Sequence, residues 1–463
     1  MNFFDRLTKY RYEVYTNINS FKFVDHIITD INRDTLTDEH IKINKKILDK
    51  KVFYTDEIFS NISNAIKYTL GILSYQYDNP YIYHRGVPSA RNVHPNECYV
   101  IYRGHALRYN PKINEFEYIT NIDFFTNNIY IILISDLWRI MKFYGEFGLA
   151  LSILDSGHIL SQLKQLLNIN GFSKFRIDYM LDKDVFFRKL KLDFRQMMLN
   201  YIIDLSEYID ENRENFRVTK NVDVPMRIYS YLEEITFFPN VINFLEKINM
   251  SNDKEIYNMF EFKSEKYLSK EELLLSIKTR ESNHSYFGIF STKKVLETEI
   301  FYEIINRSAD LIFNNVFYSE NIRVFCLVNS VFGVKPGYYE VKEDGRIENI
   351  SYMDDIYTEN YKILNDSHQS INLSSNPVVF FVSYDITGDF SEEEKIYFSH
   401  LLSAESIHYI STIVSLFGLY SRPIKNFKDD YLEKVLRLDK DNRIMYALMI
   451  GRGNTYNYKI YFS

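Results

Sequence analysis

Cysteine is scarce. Only Cys98 and Cys326 occur in 463 residues, too few for a disulfide framework. Both sit in apolar runs, "ECYVIY" and "VFCLVN", and read as buried free thiols of a reducing compartment. The ten histidines and two cysteines form no HExxH and no CxxC, and His94 and Cys98 complete no ligand set, so no metal is expected. GxGxxG and P-loop patterns are absent too, which argues against a Rossmann nicotinamide site or an NTPase. The most apolar run, "IYIILISDLW", is far shorter than the roughly 20 residues of a membrane-spanning helix. The opening "MNFFDRLTKYRYEVY" has no apolar signal core. A net charge of -7 argues against nucleic-acid and membrane-surface partners. The expectation is a cytoplasmic protein.

What is present is ordinary for a folded chain: 46% hydrophobic and 25% charged residues. The aromatic share of 16%, with one Trp, reads as codon bias rather than function. The length allows about three average domains or two larger ones, with a sizeable core.

A repeat is visible. "ECYVIYRGHALRYNPKINEFEYI" (Glu97 to Ile119) has the layout of "RVFCLVNSVFGVKPGYYEVKEDGRIENI" (Arg323 to Ile350). Each is a strand, a Gly-containing connection, a second strand and a polar hairpin turn, "NPKIN" or "KEDGR". Each is followed by a stretch of helical periodicity, Leu154 to Ser173 and Leu402 to Ser421. Gly171 and Gly418 are placed to end those helices. The reading is α+β, with module one over 1–215 and module two over 260–463. Residues 216–259 form a linker and helical connection, its helix broken near Pro239.

Three short patterns carry chemistry: "PSARN" (Pro88 to Asn92) ahead of a strand, "TRESNHSYF" (Thr279 to Phe287) after a helix, and "GRG" (Gly451 to Gly453) after a strand. Together they resemble the nitroreductase superfamily of FMN enzymes. That family has an Arg-x-Ser-x-Arg motif after an early helix, a Pro-Ser-x-x-Asn turn before a core strand, and a basic residue in a late loop. "PSARNVHPNECYV" and "MKFYGEFGLALSILDSGHIL" are closest to the SagB-type azoline dehydrogenases of ribosomal peptide natural-product pathways. There the turn commonly reads Pro-Ser-Ala-Gly, and a Lys-Tyr-Gly stretch leads into a Gly-His helix.

The resemblance implies a central antiparallel sheet flanked by helices in each module, and FMN as cofactor. A guanidinium grips a phosphate through parallel charge-assisted hydrogen bonds. Arg280 and Ser282 are placed for that, and Arg452 can add a second positive group. His284 stands where the family has its second Arg. Pro88 fixes a tight turn, Ser89 and Asn92 offer polar hooks, and Ala90 keeps the approach open. Module one lacks the Arg-x-Ser motif and module two lacks the Pro-Ser turn, "NNVFYSENIRVF" standing in its place. Family members are homodimers with FMN at the interface, so the two losses are complementary. They imply a tandem pseudo-dimer with one composite site, its second site dead.

By the same resemblance Lys142 and Tyr144 are the catalytic pair, although Phe143 separates them. The implied reaction oxidises thiazolines or oxazolines of a precursor peptide to azoles, with a cyclodehydratase and other maturation proteins as partners. Two alternatives stand beside it: a nicotinamide-dependent flavin reductase of dehydroamino acids, nitro compounds or quinones, and a flavin-free scaffold that docks a peptide. Each residue also has a plainer reading. Arg280 can complement a helix C-terminus, Arg452 and His284 can be solvated loop residues, Lys142 can snorkel, Tyr144 can pack, and His158 can be a hydrogen-bonded core histidine.

Overall fold

The computed structural model describes residues 56–76, 83–122, 125–180, 183–190, 192–209, 238–250, 256–263, 268–282, 291–292, 295–364, 371–453 and 459–461. In module one, α1 (Glu57–Leu70) precedes β1 (Ile72–Gln76), β2 (Tyr83–Arg85), β3 (Asn96–Tyr102), β4 (His105–Asn110), β5 (Glu115–Asn121) and β6 (Ile129–Asp136). Then come α2 (Leu137–Tyr144), α3 (Phe147–Ile169), β7 (Lys174–Met180), α4 (Asp184–Leu190) and β8 (Met197–Asp204). α5 (Pro239–Met250) and β9 (Ile256–Glu261) lead to module two: α6 (Lys270–Thr279), α7 (Thr298–Asn315), β10 (Ile322–Val328), β11 (Gly337–Val341) and β12 (Ile347–Tyr352). It continues with α8 (Ile356–Ile363), β13 (Val378–Asp385), α9 (Glu392–Leu416), β14 (Tyr420–Ile424), α10 (Asp429–Val435), β15 (Asn442–Gly451) and β16 (Lys459–Tyr461).

The repeat is real in three dimensions. One sheet has the order β5-β4-β3-β6-β8-β7-β9, the other β12-β11-β10-β13-β15-β14. Strand for strand the first six of each correspond, and every ladder is antiparallel. The matched hairpins turn at Asn110 to Asn114 and Lys342 to Arg346, where Asn114 and Gly345 take positive φ. Cys98 and Cys326 both lie buried in matched strands, as the third residue of β3 and the fifth of β10. A third, small sheet of order β16-β1-β2 pairs the late strand of the chain with module one.

The central strands are buried along nearly their whole length, β3 at all seven positions, so they read as continuous apolar runs rather than alternating ones. α3 and α9 pack against each other between the sheets. Both are longer than their periodicity predicts, beginning at Phe147 and Glu392 instead of Leu154 and Leu402. α3 is buried on every face through Leu167, so no amphipathic edge marks its start. α9 instead opens with a capping box, Ser391 with Glu394. Gly171 (φ 96) and Gly418 (φ 64) follow the two C-caps, as expected. The helices cross at Gly157, where a Cβ would run into the carbonyl oxygen of Leu401. Beyond the crossing, Lys164 Nζ meets Glu405 Oε1 at 2.6 Å with both side chains fully buried.

Pro239, the expected helix breaker, is the first residue of α5, where a missing N–H costs nothing. The residues expected to precede that break, and the polar linker from 210, lie outside the described residues. Among the described residues no helix is long and apolar enough to cross a membrane, and no group of three His, Cys, Asp or Glu could hold a metal ion.

Candidate functional site

β2 runs into the Pro88–Asn92 turn, which leads into β3. Arg91 (φ 50), Asn92 (φ 57) and His94 (φ 50) are all left-handed, a conformation that costs a non-glycine residue about 1 kcal/mol or more. The turn is held by its own side chains. Ser89 Oγ donates to Asp155 Oδ2 at 2.5 Å and accepts the His94 backbone N–H at 2.9 Å. Asn92 Nδ2 donates to the Tyr83 carbonyl at 2.7 Å, which leaves Asn92 Oδ1 as acceptor for His94 Nε2, also at 2.7 Å. Burial, reinforced by the cations Arg85 and Arg280, holds the His94 imidazole well below its usual range. It is neutral, with its proton on Nε2. The hydroxyl of Ser89 and the amide of Asn92 therefore serve the turn itself.

Module two reaches this turn. Arg280 is the C-cap of α6, a helix begun by the Ser269–Glu272 capping box. Its Nε donates to the Gly86 carbonyl at 2.8 Å and its Nη2 to the Arg85 carbonyl at 3.3 Å. Nη1 reaches Ser282 Oγ only at 3.5 Å. Burial lowers Arg280 to about 10, so it stays charged at neutral pH. No carboxylate of the described residues lies within ion-pair distance of it. Neighbouring β14 holds the segment that follows: Ser421 N–H donates to the Glu281 carbonyl at 2.9 Å and Arg422 Nη1 to the Ser282 carbonyl at 3.2 Å. A buried cation with neutral partners and spare donors fits the phosphate of FMN.

The end of α2 also meets the turn. The Arg91 guanidinium lies 5.2 Å from the Tyr144 ring centroid and 5.9 Å from that of Phe143. Lys142 Nζ is 5.4 Å from the Phe143 ring. The structure thus brings Arg280, with Ser282 beside it, to the carbonyls that lead into the turn of Pro88, Ser89, Ala90 and Asn92, and Tyr144 to Arg91 of that turn, while Lys142 stands two residues earlier in the last turn of α2. Arg452 follows the end of β15, and its partners among the described residues are Ser291, Thr292 and Glu297, the last an ion pair at 3.8 Å. His284 lies outside the described residues.

Two residues not anticipated from the sequence belong to this place. Asp155, on α3 and 4% exposed, accepts from both Ser89 Oγ and the Ala90 N–H, and burial pushes its carboxyl up to about 7. A lone Asp inside the apolar "LALSILDSGHIL" was the available signal. Arg85 is lowered to about 10, chiefly by burial, with Tyr109, Arg139, Asp155 and Glu97 around it.

His158 is a hydrogen-bonded core histidine. It lies on α3 with Nδ1 at 3.3 Å from His408 Nδ1 on α9 and Nε2 at 3.2 Å from the Tyr446 hydroxyl on β15. His408 Nε2 faces Gln162 Oε1 at 3.0 Å, and Gln162 Nε2 donates to the Tyr68 carbonyl at 2.9 Å. Only one direction of donation satisfies the chain with neutral rings: Tyr446 O–H to His158, His158 Nδ1–H to His408, His408 Nε2–H to Gln162. Burial holds both rings below the usual histidine value, His408 at about 3.

The topologically equivalent turn of module two is different. The 3-10 turn Ser319–Asn321 precedes β10 as Ala90–Asn92 precedes β3, and Tyr318 stands at its N-cap where Ser89 stands in module one. Phe317 stacks on Tyr179 of β7 with centroids 5.3 Å apart, while Tyr318 and Phe398 close over it at 3.9 and 6.4 Å. Aromatic rings fill the space where this turn meets module one.

No protein family model matches the sequence, and no curated protein matches it. Among solved structures, that of a candidate nitroreductase from Anabaena variabilis superposes with a TM-score of 0.66 at 15% identity. The match covers 87% of this chain and 90% of that one, so a single chain there spans both modules. A candidate nitroreductase from Ralstonia eutropha (TM-score 0.32, 13% identity) covers 40% of this chain and 84% of its own. A chain of the E. coli microcin synthetase McbBCD complex with truncated pro-MccB17 bound (0.31, 14%) covers 44% and 79%. The scores of these last two are too low to bear on fold or function. The first establishes a nitroreductase-like fold in tandem form.

Proposed function

We propose that this nitroreductase-like chain is an FMN-dependent oxidoreductase with one flavin site, formed between the modules, and that it oxidises peptide-borne thiazolines or oxazolines to azoles. The observation that carries the reading is Arg280, a buried cation of module two, hydrogen-bonded to the carbonyls that lead into the Pro88–Asn92 turn of module one. Arg280 and Ser282 would hold the phosphate, with Arg85 adding positive charge nearby. Pro88 and Ala90 would wall the ring, on a turn that Ser89, Asn92 and His94 keep rigid. When bound, FMN supplies a two-electron acceptor able to take a hydride. Tyr144, packed against Arg91 of the turn, and Lys142, two residues before it on α2, would orient the substrate and take the proton lost from the adjacent ring carbon. Oxygen is the proposed final electron acceptor.

Turnover of a flavin-loaded sample with an azoline-containing peptide tests this. The expected product has lost two hydrogens per ring by mass spectrometry, without added nicotinamide. Turnover only of nitro compounds or quinones with a nicotinamide donor would favour a reductase. One observation favours the flavin-free scaffold: Ser89 and Asn92 already have protein partners. A protein that stays colourless after incubation with FMN would support that reading instead.

A further inference from the structure

We propose that Asp155 is a positioning residue of the composite site, clamping the Pro88–Asn92 turn from α3 and making flavin affinity depend on its own protonation. This rests on the FMN reading above. The geometry is specific. Asp155 belongs to the helix that also carries His158 and Gln162, and its carboxyl reaches across to two consecutive residues of the turn, Ser89 through Oγ at 2.5 Å and Ala90 through its N–H. The three left-handed residues that follow need such external restraint. Facing the carboxyl are Arg85 from β2 and, more distantly, Tyr446 from β15. Among the described residues Arg85 is the cation that acts on the carboxyl, and no ion pair within 4 Å neutralises it.

The charge state matters because the site is buried. In the ligand-free protein the group is poised at about 7 by burial, opposed by Ser89, Ala90 and Arg85. A flavin seated on the turn excludes water and draws on the same positive charge, so both effects favour the protonated carboxyl. Flavin binding then takes up a proton, and by linkage affinity falls as Asp155 ionises. No bond to carbon changes; one proton moves from solvent to Asp155. The protonated carboxyl still accepts the Ala90 N–H and shares a hydrogen bond with Ser89, so the clamp itself survives in both states.

The test is flavin affinity against pH for the full chain, read by fluorescence quenching with riboflavin and with FMN. Riboflavin lacks the phosphate, whose own titration near pH 6 overlaps. Wild type should lose about tenfold in riboflavin affinity between pH 6 and 9, the effect of a shift of roughly one pKa unit. Asp155→Asn should abolish that dependence. Ser89→Ala, which removes a hydrogen bond favouring the ionised form, should move the midpoint to higher pH; it serves also if Asp155→Asn does not fold. A flat wild-type profile with clear FMN binding overturns this inference alone, as does an unchanged profile in Asp155→Asn. Failure of the wild type to bind either flavin overturns the FMN reading and this inference with it.

Discussion

The guanidinium Nε of Arg280 lies 2.8 Å from the carbonyl oxygen of Gly86, across 194 residues of sequence. This one hydrogen bond joins the end of a helix in module two to the approach of a turn in module one. Everything proposed for the site depends on that junction.

Arg280→Ala should remove flavin retention and weaken the inter-module contact at once. Charge-assisted hydrogen bonds are worth about 1.5–3 kcal/mol each, so a loss of affinity on the order of 100-fold is expected by calorimetric titration with FMN. Arg280→Lys should be intermediate, since an ammonium lacks the planar fork. Full flavin retention by the Ala variant would rule out the phosphate role.

Flavin should bind at one per chain. Phe317, Tyr318, Tyr179 and Phe398 fill the equivalent place in module two. The ratio of flavin absorbance to protein in a saturated, gel-filtered sample measures this. A ratio near two would mean that the aromatic cluster does not block a site.

Asp155 should also make the empty protein less stable as pH rises. Its folded value is raised from 3.8 to about 7, so the stabilisation from its bound proton is full below about pH 4 and is lost by the time pH passes 7. Relative to wild type, Asp155→Asn should gain stability between pH 5 and 8, by roughly 1–3 kcal/mol. Urea midpoints of the two proteins across that range would show it; a constant difference would contradict the assignment.

The histidine pair predicts the opposite slope at lower pH. Both rings are held below the ordinary value, His408 at about 3, and two protonated Nδ1 atoms cannot face each other at 3.3 Å. Stability should therefore fall as pH drops from about 6.5 toward 3. His408→Gln should flatten part of that fall, measured by thermal melts at pH 4 and 7.

Lys164 and Glu405 are both fully buried. Removing one partner, as in Lys164→Met, should cost about 3–5 kcal/mol, whereas Lys164→Met with Glu405→Leu should cost much less. Denaturant midpoints of the single and double variants decide it.

The repeat was legible because strands of a buried sheet and polar hairpins leave strong local marks: "ECYVIY" against "VFCLVN", "NPKIN" against "KEDGR". The meeting of Arg280 with the Pro-Ser turn was reachable only through complementary gaps in two motifs, since no local signal spans the 194 residues between them. Asp155 escaped notice because a single carboxyl in an apolar helix has many structural explanations, and its partners are distant in sequence. The early start of α3 was hidden because a helix buried all round carries no amphipathic period. For Ser89 and Asn92 residue type announced polar hooks, but not whether those hooks would face a ligand or the turn itself.

In a homodimer every substitution is made twice, and both clefts change together. A chain that carries both halves escapes that constraint. Ser89 can remain small on one side while its counterpart is Tyr318 on the other, and module two can keep the Arg280-x-Ser282 motif that the sequence of module one lacks. A tandem chain thus permits its two halves to diverge independently, one turn kept small and polar and the other turned into aromatic packing.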